Sequence, residues 1–271
     1  MNDRLESKSA AVRGVEMAYI DVGSGPVLLL LHGFPFDKSM WSDQVEAVTA
    51  AGFRAVAPDL RGLGETKLTG EISTMDDMAR DSAALLDDLH IDRATVCGLS
   101  MGGYVAFEFV HLFPSRVSGL VVAGTRAPAD NEQEKAGREQ QVQTMLRAGL
   151  VPISIATLPK LLAERTCAEQ PDVVKRVRTM ITGAHPKGAA AAQRGMAARR
   201  DYTDDLQNIN VPTLIIVGRE DPIRPVADAE FMHERIQNSR LEIIEDAAHM
   251  TNLEQPEVFN RVLIDFLRLT H

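Results

Sequence analysis

The sequence predicts an α/β protein: a mostly parallel β-sheet flanked by helices and interrupted once by a helical insert. Three observations predict it. Short apolar runs alternate with amphipathic stretches of helical length, the pattern of strands joined by crossover helices. One run, Val27-Leu28-Leu29-Leu30-Leu31, is apolar throughout, as a strand covered on both faces must be. Between residues 126 and 205 the strand-like runs stop while helical patterns continue.

The elements follow in order. After a polar N-terminus, residues 15–21 read as a strand, and Gly23-Ser24-Gly25-Pro26 turns the chain into the strand at 27–31. A helix over 40–51 stops at Gly52, and a strand over 53–57 follows. Ser73-Thr74-Met75-Asp76 offers a capping box for a helix running to about 90, with Met78, Leu85, Leu86 and Leu89 on one stripe. A strand at 94–97, a helix at 104–113 and a strand at 117–123 continue the alternation. The insert holds helical segments at 132–150, 155–169, 171–182 and 189–198. After Val211-Pro212 come a strand at 213–217, a helix near 227–236, a strand at 241–244 and an amphipathic helix at 256–269. The division expected is a core of residues 1–125 and 206–271 with a helical cap over 126–205. Ligands of open α/β sheets bind at the carboxyl ends of the strands, so an insert between two late strands can roof that edge.

Composition narrows the partners. A chain of 271 residues can bury one large core. Its net charge of −9 argues against sequence-independent nucleic-acid binding, which runs on clustered Lys and Arg. No stretch of about eighteen apolar residues occurs and the start has no apolar leader, so no membrane partner is expected and the location expected is cytoplasmic. The two cysteines, Cys97 and Cys167, lack metal or redox spacing; neither a metal nor another cofactor is expected. A homo-oligomer stays open.

The chemistry concentrates at Gly98-Leu99-Ser100-Met101-Gly102-Gly103, between the strand at 94–97 and the helix at 104–113. A G-x-S-x-G turn between strand and helix forces its serine into a strained conformation with the hydroxyl exposed, so Ser100 is the candidate nucleophile. A serine needs a base and an acid to orient it. The strand at 213–217 ends in Gly218-Arg219-Glu220-Asp221-Pro222, and the strand at 241–244 ends in Glu245-Asp246-Ala247-Ala248-His249. Ser100, Asp221 and His249 thus follow one another as nucleophile, acid and base, each past a strand end. Glu220 competes with Asp221; the shorter arm of aspartate and the following Pro222 favour Asp221. The oxyanion donors expected are the N–H groups of Met101, at a helix N-terminus, and of Phe34 in His32-Gly33-Phe34-Pro35, with His32 an architectural residue of that loop.

These segments, with Asp59-Leu60-Arg61-Gly62-Leu63-Gly64, resemble the α/β-hydrolase superfamily in its serine-nucleophile branch with a helical cap. Capped esterases, 3-oxoadipate enol-lactonases and cofactor-free perhydrolases are the members the chain looks most similar to. The resemblance spans about residues 13–269 and implies a cap inserted after the sixth strand. Epoxide hydrolases and haloalkane dehalogenases are similar around residues 32–35 but carry aspartate at the elbow, where Ser100 stands. The activity implied is hydrolysis of carboxylic esters of small to medium, largely uncharged substrates through an acyl-enzyme. Lactone opening or perhydrolysis by the same triad is the alternative, and a slow signalling or ligand-binding module a second one. Phe36 and Met250 are candidate substrate contacts. Arg194, Arg199 and Arg200 read as a solvated helix face, or as a carboxylate clamp if one of them points into the site.

Overall fold

The computed structural model describes residues 5–270; residues 1–4 and 271, the ends of the expected core, lie outside the described residues. Eight strands there form one sheet: β1 (Lys8–Val12), β2 (Val15–Gly23), β3 (Val27–Leu31), β4 (Arg54–Pro58), β5 (Ala94–Leu99), β6 (Val117–Ala123), β7 (Thr213–Gly218) and β8 (Ser239–Ile244). They lie in the order β1-β2-β4-β3-β5-β6-β7-β8, antiparallel at β1/β2 and β2/β4 and parallel elsewhere. Every residue of β3, β5 and β7 is buried, which is why β3 reads as an unbroken apolar run and β5 and β7 as largely apolar ones.

Strand β1 falls where the sequence reads only as a polar N-terminus. Of its five residues Val12 alone is buried. An edge strand held by main-chain pairing to β2 needs no apolar run.

The helices are α1 (Ser42–Ala50), α2 (Met75–Asp88), α3 (Met101–Leu112), α4 (Glu132–Ala148), α5 (Val151–Leu161), α6 (Glu164–Glu169), α7 (Pro171–Gly183), α8 (Pro186–Ala197), α9 (Val226–His233), α10 (Thr251–Glu254) and α11 (Pro256–Thr270). The helix expected at 40–51 is split into a 3-10 turn, Lys38–Trp41, and α1. At α2 the cap is Thr74, whose hydroxyl accepts from the Asp77 N–H (3.0 Å) and donates to the Asp77 carboxylate (2.7 Å), one residue later than expected.

Helices α4 to α8 lie between β6 and β7 without a strand. The helix expected at 155–169 breaks into α5 and α6, where the Leu161 carbonyl bonds to the loop after β8 and the Ala163 N–H to the Glu254 carboxylate of α10 instead of continuing the ladder. Helix α8 sits flush on the sheet's loops. A Cβ on Gly188 would stand 1.7 Å from the Gly62 carbonyl oxygen, and one on Gly195 1.8 Å from that of Ser73. Among the described residues no helix is long and apolar enough to cross a membrane.

Strand order reverses around β3, with β4 on one side and β5 on the other. Such a reversal opens a crevice at the carboxyl ends of the strands, where the loops after β3 and β5 meet.

Candidate active site

Ser100 occupies the sharp turn from β5 into α3, with φ 56° and ψ −112°. That is left-handed φ for a residue with a side chain, a strained state that only a well-braced backbone sustains. The bracing is explicit: the Ser100 N–H donates to the Ala123 carbonyl (2.8 Å), and its carbonyl accepts from the Gly103 N–H (3.0 Å) and the Thr125 hydroxyl (2.9 Å). The elbow's glycines are sterically required. A Cβ on Gly98 would stand 2.1 Å from the Gly102 carbonyl oxygen, and one on Gly102 2.0 Å from that of Leu31.

The loop after β3 is organised by His32, which is fully buried. Its Nε2 accepts from the Leu60 N–H (2.9 Å), so Nδ1 carries the proton and donates to the Gly33 carbonyl (2.8 Å). Burial pushes this imidazole below its usual range, keeping it neutral in that tautomer. The Gly33 carbonyl also accepts from the Phe36 N–H (3.1 Å). Since C=O and N–H of a trans peptide point oppositely, holding this carbonyl turns the Phe34 N–H to the other side.

Asp221 and His249 meet across the ends of β7 and β8. The His249 Nδ1 to Asp221 Oδ2 distance is 2.7 Å, with both side chains buried. The other Asp221 oxygen accepts from the N–H groups of Ile223 (2.8 Å) and Arg224 (2.9 Å). An acceptor-only carboxylate places the proton on Nδ1 and leaves Nε2 as an acceptor. Glu220, the competing carboxylate, is exposed.

Ser100 and His249 share the wall of a cavity of about 150 Å³. Its apolar lining is Phe34, Pro35, Ile153, Leu161, Met196 and Ile223, and its polar lining includes Tyr104, Arg138, Gln193 and Arg224. Of the expected substrate contacts, Phe36 and Met250 are packed into the core and do not line this cavity. Arg194, Arg199 and Arg200 are absent from its lining too. Arg194 pairs with Glu139 and Arg200 with Asp205, while the Arg199 guanidinium is buried against Asp130 at 2.7 Å. Arg138 and Arg224, which sequence reasoning did not single out, take their place; both lie in stretches whose helical or turn pattern gives no hint of direction. Of the apolar residues in α4 to α6, Ile153 and Leu161 reach the cavity, whereas Val151 and Ile155 are exposed. A wider depression of about 290 Å³, lined by Phe107, His111, Tyr202 and Asp205 among others, includes none of Ser100, Asp221 or His249.

The His249 loop is stapled to the helical segment. The Leu161 carbonyl accepts from the N–H groups of both His249 and Met250, at 3.1 Å each. Beside it the buried Glu254 carboxylate accepts from the N–H groups of Ala163 (2.7 Å) and Ala248 (2.9 Å) and from the Thr166 hydroxyl (2.8 Å). Burial pushes the Glu254 carboxyl above its usual range. Glu254→Ala would leave three buried donors unsatisfied, at about 1–3 kcal/mol for each. The expected outcome is a Tm lowered by about 6–36 °C in a thermal melt as the His249 loop loosens.

The comparisons with known proteins bear on the fold that carries this geometry. In sequence the chain is 32% identical over 238 residues to the 3-oxoadipate enol-lactonase 2 of Acinetobacter baylyi, covering 88% of this chain and 87% of that protein. In structure it superposes with a TM-score of 0.95 on a thermophilic esterase from Thermogutta terrifontis solved with malate bound, at 38% identity over 98% of this chain and 99% of the other. It superposes with a TM-score of 0.89 on the enol-lactonase from Burkholderia xenovorans, at 27% identity over 96% of this chain and 100% of the other. A family model described as the alpha/beta hydrolase fold matches residues 26–256, a span holding the Ser100 elbow, Asp221 and His249, and the chain belongs to that family.

Proposed function

We propose that the protein is a cofactor-independent serine hydrolase of carboxylic esters, with Ser100 as nucleophile, His249 as base and Asp221 orienting the imidazole. The single observation that carries this reading is the buried 2.7 Å Asp221–His249 pair, whose imidazole shares the wall of one cavity with Ser100 on its left-handed elbow. In the first half-reaction His249 Nε2 takes the Ser100 proton, Oγ bonds to the acyl carbon, and the alcohol leaves with that proton. Water then attacks the acyl-enzyme through the same base, releasing the acid and restoring the serine. The N–H groups of Phe34 and Met101 serve as the oxyanion donors: the first is turned away from the anchored Gly33 carbonyl, the second opens α3. Helices α4 to α8 act as the cap, which agrees with Ile153, Leu161, Arg138 and Met196 facing Ser100 across the cavity. Lactone opening is the second reading, favoured by the enol-lactonase relative at 32% identity; it needs only a leaving oxygen tethered to the acyl group.

A fluorophosphonate probe tests the assignment. The expected result is one adduct per chain on the peptide containing Ser100, with turnover of p-nitrophenyl butyrate lost in step. An adduct elsewhere, with turnover intact, overturns it.

A further inference from the structure

The cavity carries more positive charge than its own acids neutralise. Three guanidinium groups converge on one buried carboxylate, Asp130: Arg126 at 3.0 Å, Arg199 at 2.7 Å and Arg138 through its Nε. Arg126 has a second acid in Glu134 at 2.7 Å. Arg224 is different. Its Nη1 donates to the Ile223 carbonyl (2.6 Å) and its Nη2 to the Tyr104 hydroxyl (2.7 Å), while Nε is buried without an acceptor. No carboxylate pairs with it among the described residues. Asp228 feels its charge, but burial dominates there and pushes that carboxyl above its usual range. Arg199 lies over the Tyr104 ring at 4.1 Å. Burial opposes ionisation of the Tyr104 phenol, yet the fields of Arg224, Arg199 and Arg138 win and hold it below its usual range. Two guanidinium groups and this phenol therefore face a space shared with Ser100 and His249, in a protein whose net charge is −9. The local field, and not the overall sign, acts on a bound group.

We infer that the preferred substrates are short esters whose acyl part carries a second, free carboxylate, held by Arg224 with the Tyr104 hydroxyl beside it and Arg138 reinforcing the charge. This rests on the ester-hydrolase reading and replaces the expectation of largely uncharged substrates. A guanidinium on the cavity wall with no carboxylate of its own gains a charge-assisted hydrogen bond from a substrate carboxylate that no neutral acyl chain can supply. The acyl part is the one to recognise, because it stays in the cavity through both half-reactions while the alcohol leaves after the first. The cavity volume of about 150 Å³ is below the 300–1,000 Å³ of ordinary small-molecule pockets, which keeps the acyl chain short. Tyr104 lies in the first turn of α3, its N–H on the Ser100 carbonyl (3.3 Å) and its hydroxyl on the Arg224 guanidinium (2.7 Å), so nucleophile and guanidinium line one small cavity.

The test pairs monoethyl glutarate with ethyl pentanoate, a neutral ester of similar length, in a pH-stat assay of wild type, Arg224→Gln and Arg224→Lys. The wild-type protein is expected to favour the charged ester in kcat/KM. Arg224→Gln is expected to lower the charged-to-neutral ratio about ten- to a hundredfold, and Arg224→Lys to restore part of it. Glutarate binding to Ser100→Ala is then measured by calorimetry and is expected to disappear when Arg224→Gln is added. That measurement needs no turnover, so its outcome is independent of which residue attacks the ester. Parallel losses on both esters, a wild type that prefers the neutral one, or glutarate binding that survives Arg224→Gln overturns the inference.

Discussion

Ser100→Ala is expected to lower kcat/KM for p-nitrophenyl butyrate by about 10⁴- to 10⁶-fold while leaving the thermal melt within about 2 °C of wild type. The size follows from what the substitution removes. The hydroxyl is the only atom lost, and with it the covalent half of the reaction. His249 and the proposed oxyanion donors remain, so a residual rate above that in water is expected from binding and electrostatics alone. The fold should be indifferent, because the elbow is braced through main-chain atoms and Thr125, not through Oγ. Alanine keeps the same Cβ, so the left-handed φ of 56° costs no more than it does in the native protein. A variant keeping more than a tenth of wild-type turnover would remove Ser100 from the chemistry.

The second large effect is on stability. Asp130 is the common partner of Arg126, Arg138 and Arg199, with its side chain 1% exposed. Burial opposes its ionisation, but hydrogen bonds and charge from Arg138 and Arg199 outweigh that and hold the carboxyl at about 2. Asp130→Ala would strand the guanidinium groups of Arg138 and Arg199, the second with a fully buried side chain, against a neutral methyl, and would leave Arg126 only Glu134. Breaking a buried ion pair from one side costs about 3–5 kcal/mol, so Tm is expected to fall by about 6–20 °C. The wild-type pH dependence carries the same sign. A carboxyl lowered from 3.8 to about 2 contributes about 2 kcal/mol, fully present above the unfolded value near 4 and lost as pH falls through 2. In Asp130→Asn that part of the acid limb should vanish from chemical denaturation measured between pH 5 and pH 2. A melt matching wild type in both variants would mean that the arginine cluster does not depend on its acid.

Both effects involve residues with very different visibility in the sequence. The elbow is a local object: a strand, two glycines that a Cβ would drive into the Gly102 and Leu31 carbonyl oxygens, and a helix that starts on the next residue. Short-range sterics demand those residue types, so spacing alone exposes the site. Asp221 and His249 were legible for a related reason: Asp221 follows the fully buried β7, and His249 follows β8, where only Ile244 is buried but the Ile243-Ile244 end is still apolar. Asp130 carries no such signal. It lies in a turn before α4, and its three arginines come from that turn, from α4 and from beyond α8.

Chain-local pattern determined the alternation of strands and helices, the turn that exposes Ser100, and the order in which an alcohol, a carboxylate and an imidazole reach one rim of a sheet. Such features arise from backbone sterics and from burial repeating every two or 3.6 residues, and both operate within a few positions of one another. Tertiary structure alone decided which side chains look inward. It turned Phe36 and Met250 into packing, brought Arg138 and Arg224 to the cavity, added β1 to the sheet edge and broke α5 from α6 to pin the His249 loop. Periodicity states that a residue is buried or exposed but not against what, and charge on a cavity wall is settled by partners far away along the chain.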